Sequence, residues 1–224
     1  MLSRSGFDWL VIDMQHAPLG SSVEMLGLVQ AISLGHSAPF LRVPWKSRFG
    51  AIMAALDAGV EGVIIPMLET AEEAEEISRC FRYPPRGYRS WGPWRAAMTI
   101  PEYSPEVGDR RALCLVQIET RSAMRNIDAI LDVDEVDGAY IGPQDLSLSH
   151  GGGLSWRANN SVLQELADRV LAASQRHGKI AVAHTADADD ALHWARCGFP
   201  MVNVTSDVHL VQERTRSVLK RLKE

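Results

Sequence analysis

Short apolar runs recur along the chain, each closed by a polar or turn-forming residue. Trp9-Leu10-Val11-Ile12 ends in Asp13, and like runs follow at Phe40-Leu41-Arg42-Val43, Val63-Ile64-Ile65, Leu113 to Ile118 and Ala139-Tyr140-Ile141. Two more come at Ile180-Ala181-Val182-Ala183 and Met201-Val202-Asn203-Val204. Between most of them apolar residues stand three and four apart, as with Ile52, Met53 and Leu56 before Gly59, or Met124, Ile127, Ile130 and Leu131. The runs predict buried strands and the spacing between them predicts amphipathic helices. Thr70 with Glu73, and Ser161 with Gln164, have the form of capping boxes at helix starts, while Gly59, Gly178 and Gly198 fall where helices end. Gly151-Gly152-Gly153 marks a turn.

Near-continuous apolar strands that alternate with helices predict a parallel sheet covered by helices, an α/β fold. Barrel and open sheet both satisfy that pattern. No glycine-rich phosphate fingerprint follows the first strand, which argues against a dinucleotide-binding open sheet. Asp13, Arg42, Glu119, Asp145 and Thr185 fall just after strands, where barrel enzymes keep their chemistry. The expectation is a TIM-type (β/α) barrel formed as a single domain over residues 1–224. The one long interruption, residues 82–111, is too long for a plain connection. Its tryptophans, tyrosines and arginines suit a lid or a subunit contact; the other reading is a loop packed on its own rings.

Composition narrows the functional classes. The 224 residues, 46% of them apolar, are enough for one large core. A formal net charge of −5 speaks against nucleic acid as a partner, since phosphate binding needs a basic surface. Cys80, Cys114 and Cys197 are odd in number, far apart and at no metal-ligand spacing, which fits a reducing cytoplasm and neither a disulfide framework nor a zinc ribbon. No apolar run approaches the roughly 18 residues that cross a bilayer, and Met1 to Gly6 lack the order of an export signal. A soluble cytoplasmic protein without membrane partners is expected.

Candidate chemistry gathers at strand ends. In Gln117-Ile118-Glu119-Thr120, Gln117 and Glu119 project to the same face, into what is expected to be the barrel interior. The next strand leads into Ile141-Gly142-Pro143-Gln144-Asp145-Leu146-Ser147, so Glu119 and Asp145 are candidates to meet at one mouth. Two close carboxylates repel unless a proton or cation lies between them, and a hard divalent ion suits them. The alternative is that Glu119 caps a helix and Asp145 is an ordinary loop acid. Asp13 and His16, three apart after the first strand, suit a general-base dyad, or else a surface pair or helix cap. Arg42 interrupts an apolar strand, so a structural acid or an anionic substrate is expected opposite it. Lys46 shows no apolar pocket that would make it a Schiff-base nucleophile. Of the other histidines, His184 stands out because it ends a strand; the rest are expected at the surface.

Taken together, these segments resemble the HpcH/HpaI aldolase family of metal-dependent pyruvate aldolases. The resemblance runs through Phe7-Asp8-Trp9-Leu10-Val11-Ile12-Asp13 with His16-Ala17-Pro18, Arg42-Val43-Pro44, Tyr83-Pro84-Pro85-Arg86-Gly87 with Arg89, Val116-Gln117-Ile118-Glu119-Thr120, and Ile141-Gly142-Pro143 with Asp145-Leu146-Ser147. It implies that Glu119 and Asp145 hold a divalent cation (Mg2+, Mn2+ or Co2+), that His16 and Asp13 form the base dyad, and that Arg42, Gln117, Gly142 and Pro143 line the substrate. The implied reaction forms or cleaves 4-hydroxy-2-oxo acids from a 2-oxo acid and an aldehyde, through a pyruvate enolate stabilised by the cation and Arg42. The implied assembly is a homo-oligomer. The family usually starts with another strand and helix before Phe7-Asp8-Trp9, so the barrel is expected to lack its first stave, through a shortened sequence or as a seven-strand variant. Gln15 and Trp91-Gly92-Pro93-Trp94 depart from the family pattern, and they leave the acceptor open. Two alternatives accompany the aldolase: a carbon–carbon lyase of the citrate-lyase-β and malyl-CoA type, and a catalytically silent assembly subunit.

Overall fold

The computed structural model describes residues 1–17, 21–45, 47, 49–155 and 157–223. Pro18 and Lys46, both weighed above, lie outside the described residues. Among the described residues seven strands form one sheet: β1 (Trp9–Asp13), β2 (Ala38–Arg42), β3 (Gly62–Ile65), β4 (Leu113–Ile118), β5 (Gly138–Ile141), β6 (Ile180–His184) and β7 (Met201–Asn203). Every neighbouring pair is parallel, and the spatial order is the chain order. This is the β–α–β progression of a curled, TIM-like α/β sheet. Among the described residues β1 pairs only with β2 and β7 only with β6, so these two strands are the edges of the sheet.

Helices fill the crossovers: α1 (Ser22–Ile32), α2 (Phe49–Asp57), α3 (Ala71–Ser78), α4 (Trp94–Thr99), α5 (Pro105–Arg111) and α6 (Arg121–Arg125). The second half adds α7 (Ile127–Leu131), α8 (Pro143–Ser149), α9 (Ser161–Arg176), α10 (Ala188–Cys197) and α11 (Asp207–Arg221). The Thr70–Glu73 capping box forms as the sequence predicts. The Ser161–Gln164 box does not: Asn160 is the N-cap of α9, its side chain accepting from the backbone N–H of Leu163, and Ser161 is the first helical residue. An asparagine in that place is the better cap, because its longer side chain also donates to the Gly152 carbonyl at 3.1 Å. The predicted helix through Met124 and Leu131 is broken at Asn126 into α6 and α7. Gly59, Gly178 and Gly198 take φ of +95°, +63° and +107°, the left-handed conformation that ends a helix.

Alternation along the strands sorts the apolar residues into two cores. Phe40, Ile64, Leu115, Tyr140 and Val182 point inward and fill the curl of the sheet, with Trp9, Val11 and Met201 packed on them. Ile12, Leu41, Val63, Val116, Ile118, Ala139 and Ala183 point outward beneath the helices. The inward set turns polar at its C-terminal end, where Asp13, Arg42, Gln117, Glu119 and His184 continue the same faces.

The 82–111 segment lies elsewhere. Arg82, 3% exposed, donates to the Ala112 carbonyl just before β4 and pairs with Asp137, just before β5, at 2.7 Å. Arg95 of α4 donates to the Ala58 carbonyl and to Ser33, at the ends of α2 and α1. These anchors belong to the N-terminal end of the sheet: a desolvated guanidinium needs fixed acceptors, and it finds them at the foot of β4 and β5. The segment also packs on its own rings, Trp91 against Tyr83 and Tyr103 with centroids 5.3 and 6.0 Å apart.

Candidate active site

Glu119 is the most heavily constrained group at the mouth. It follows the last residue of β4, is 1% exposed, and accepts from the backbone N–H of Met67 at 2.7 Å through Oε1 and from Nε2 of Gln117 at 2.5 Å through Oε2. Met67 delivers that N–H from a left-handed backbone with φ +57°, a conformation that costs a side-chain-bearing residue on the order of 1 kcal/mol. Burial pushes the Glu119 carboxyl up to about 7, and the negative charge of Asp145 pushes the same way, against the pull of Arg42 and the two donors. Gln117 shares the pocket, 2% exposed, with its Oε1 left without a hydrogen-bond partner among the described residues.

Gly142 is what makes room for this pair. It follows β5 as the N-cap of α8, and a Cβ built on it would sit 2.6 Å from both Glu119 Oε2 and Gln117 Nε2. Pro143 then starts α8 at a position that needs no N–H, and it brings Asp145 into the first turn, exposed and near enough for its charge to act on Glu119. The structure therefore brings Glu119, Gln117, Gly142 and Asp145 together at the ends of β4 and β5.

Arg42 and Asp13 close the other side. They are register partners on β1 and β2 and form a two-pronged ion pair, Nε to Oδ1 at 2.9 Å and Nη2 to Oδ2 at 2.7 Å. Asp13 also accepts from the backbone N–H groups of Gln15 and His16. Burial works to raise its carboxyl, but Arg42 and those N–H groups outweigh burial and hold it below the usual range. The structural acid expected opposite Arg42 is thus Asp13. His16 is exposed, and it meets Asp13 through its backbone, not its ring. Thr185 ties β6 to β7, its hydroxyl donating to the Asn203 carbonyl at 2.7 Å.

Three features of the site carry no distinct sequence signal: the strained Met67 N–H, the steric need for glycine at 142, and a bond between Tyr140 and His184. The last was foreshadowed only by a histidine at a strand end.

A family model described as HpcH/HpaI aldolase/citrate lyase matches residues 1–213. The chain belongs to that family. As an HpcH/HpaI family member it is 34% identical to a 4-hydroxy-2-oxo-heptane-1,7-dioate aldolase of Escherichia coli, over 99% of this chain and 84% of the relative. It is 35% identical to a hydroxypyruvate/pyruvate aldolase of Roseovarius nubinhibens, over 98% of this chain and 85% of that one. A solved HpcH/HpaI family protein of Burkholderia cenocepacia superposes with a TM-score of 0.89 at 28% identity, covering all of this chain and 88% of the other. The family is one of carbon–carbon lyases, and the chain is an enzyme of that kind. Among the described residues no helix is long and apolar enough to cross a membrane.

Proposed function

We propose that this HpcH/HpaI enzyme is a divalent-metal-dependent aldolase that forms or cleaves 4-hydroxy-2-oxo acids through a pyruvate enolate, with Glu119 and Asp145 as its metal ligands. The observation that carries the proposal is the buried Glu119 carboxyl, fixed by two donors and electrostatically opposed by Asp145. A buried carboxylate with a second negative charge acting on it at the same mouth favours a cation between them. The donors fit a hard ion: they are oxygens, and glycine at 142 leaves the Glu119 oxygen uncrowded. Among the described residues no three His, Cys, Asp or Glu side chains gather as a metal cage, so the protein would supply two carboxylates and leave the other positions to water and substrate. When bound, such an ion acts as a Lewis acid that acidifies the carbon beside a 2-oxo group.

The chain's own residues divide the rest of the work. Arg42 spends Nε and Nη2 on Asp13, which aims the guanidinium and leaves Nη1 to meet developing negative charge on the substrate's oxygens. Gln117 holds Glu119 and offers its unpartnered Oε1 to a bound water or substrate hydroxyl. Gly142 and Pro143 form the floor beside Glu119, and exposed His16 is the group this reading assigns to proton transfer. A homo-oligomer fits the apolar side chains left exposed on α11, such as Val208 and Val211, and a subunit contact at the 82–111 segment fits Trp94, 83% exposed.

Deuterium exchange into the pyruvate methyl with Mn2+ tests the reading. Exchange in the native protein and its loss in Glu119→Gln is the expected result. Equal exchange in both would refute the assignment, and no exchange in a folded, metal-loaded native sample would favour the silent subunit.

A further inference from the structure

Tyr140 and His184 take no part in the chemistry described so far. Both are interior residues, on β5 and β6; Tyr140 stands level with Val182, so His184 lies one inward position nearer the mouth. The Tyr140 hydroxyl and His184 Nδ1 are 2.6 Å apart, and the two rings meet edge to face. Tyr140 is 2% exposed, and a buried phenol needs an acceptor for its proton. Among the described residues Nδ1 of His184 is the hydrogen-bond partner of that hydroxyl, so the phenol donates and Nδ1 accepts. An imidazole held in this way carries its own proton on Nε2. Burial first, then the Arg42 guanidinium, pushes His184 down to about 4, so the ring is neutral near pH 7. Ala183 is the register partner of Ile141, so His184 stands level with Gly142 at the mouth where the proposed chemistry lies.

The geometry points to a catalytic role for His184 in the aldolase reaction proposed above: Tyr140 fixes it as a neutral Nε2–H donor, and that N–H hydrogen-bonds to the carbonyl oxygen of the acceptor aldehyde. In addition, the enolate carbon bonds to the aldehyde carbon, the carbonyl π pair moves onto that oxygen, and the oxygen takes a proton from water to become the C4 hydroxyl. Cleavage runs the same steps backwards. His184 is unchanged at the end, because a neutral imidazole holds its N–H firmly and acts by stabilising the developing oxyanion. A cationic ring beside Arg42 would instead add like charge to the mouth. Tyr140 is the positioning residue, since it acts only through His184.

The proposal rests on the aldolase reading, and the two fail differently. Cleavage of 4-hydroxy-2-oxo-heptane-1,7-dioate and deuterium exchange into pyruvate are measured side by side with Mn2+, in native enzyme and His184→Leu. Exchange needs no acceptor oxygen, so it should stay within about threefold of native while kcat for cleavage falls about 100-fold or more. His184→Gln, whose amide N–H can stand in for Nε2–H, should recover cleavage to within roughly tenfold of native. Nitrogen-15 spectra should show His184 as the neutral Nε2–H form in native enzyme and as mixed tautomers in Tyr140→Phe. Cleavage unchanged in His184→Leu, parallel loss of exchange and cleavage, or an Nδ1–H form in the native spectrum would each overturn the role. Native enzyme that exchanges nothing would overturn the aldolase reading and this role with it.

Discussion

Replacing Gly142 with alanine adds one methyl group where the site has no room for it. The backbone itself does not object: φ is −94° and ψ 89°, outside the left-handed region, so any strain comes from the side chains. The added Cβ would lie 2.6 Å from Glu119 Oε2, 2.6 Å from Gln117 Nε2 and 3.0 Å from Glu119 Cβ. Carbon and oxygen do not approach so closely, and the carboxylate, locked by Met67 and Gln117, has to move. Overpacking of this kind costs about 1–3 kcal/mol. The less flexible unfolded chain returns about 0.4–1 kcal/mol, leaving a net loss of roughly 1–2 kcal/mol. In a chain of this length that lowers Tm by about 2–8 °C. The functional effect should be larger than the structural one, because loss of a ligand's supporting contacts typically weakens metal binding about 10- to 100-fold. Calorimetric titration with Mn2+ alongside thermal melts reads both quantities. If the alanine protein binds Mn2+ as tightly as native and melts at the same temperature, Glu119 is not held against Gly142 and is not a metal ligand by this geometry.

Arg82→Met should destabilise the fold by about 3 kcal/mol in urea titrations, since it leaves Glu135 and Asp137 facing each other without the guanidinium that joins them. An unchanged midpoint would show that the ion cluster contributes nothing. In metal-free protein the Glu119 carboxyl, ordinarily near 4.5 and here raised to about 7, binds its proton more tightly folded than unfolded. Stability from this group is therefore full below pH 4.5 and lost as pH rises towards 7, by up to roughly 3 kcal/mol. His184, lowered from 6.5 to about 4, gives the opposite slope in an overlapping window, its stability being lost as pH falls below 6.5. The difference between native protein and Glu119→Gln in EDTA isolates the first slope, and a flat difference from pH 4.5 to 7 would contradict it.

The strands were legible because parallel strands covered on both faces are nearly continuous apolar runs, and β1, β4 and β6 begin within a residue of where the pattern puts them. Helix boundaries were less so: Asn160 and Ser161 are both capping residues, and only the carbonyl of Gly152 decides between them. At the site, Glu119 and Gln117 could be read as one face of a strand because they stand two positions apart, with Ile118 between them. Asp13 was matched with His16, three positions away, whereas its side chain bonds to Arg42, twenty-nine away across a parallel register that sequence spacing does not display. Tyr140 read as one more apolar strand residue, since its hydroxyl acquires meaning only beside His184, 44 positions on. Met67 and Gly142 were invisible for a different reason: a backbone angle and an absent methyl carry no chemical label. The place of the 82–111 segment was not legible, because aromatic and basic composition says that a segment is anchored without saying at which end.

That anchor has a bearing on redesign. Arg82 rivets the feet of β4 and β5, the two staves whose far tips lead to Glu119, Gly142 and Asp145. At about 3.3 Å per residue, the six residues of β4 put roughly 20 Å between rivet and chemistry. Rim loops can then be rebuilt for a new substrate while the foundation keeps both staves in register, and random libraries should tolerate change at the rim far better than at the rivet.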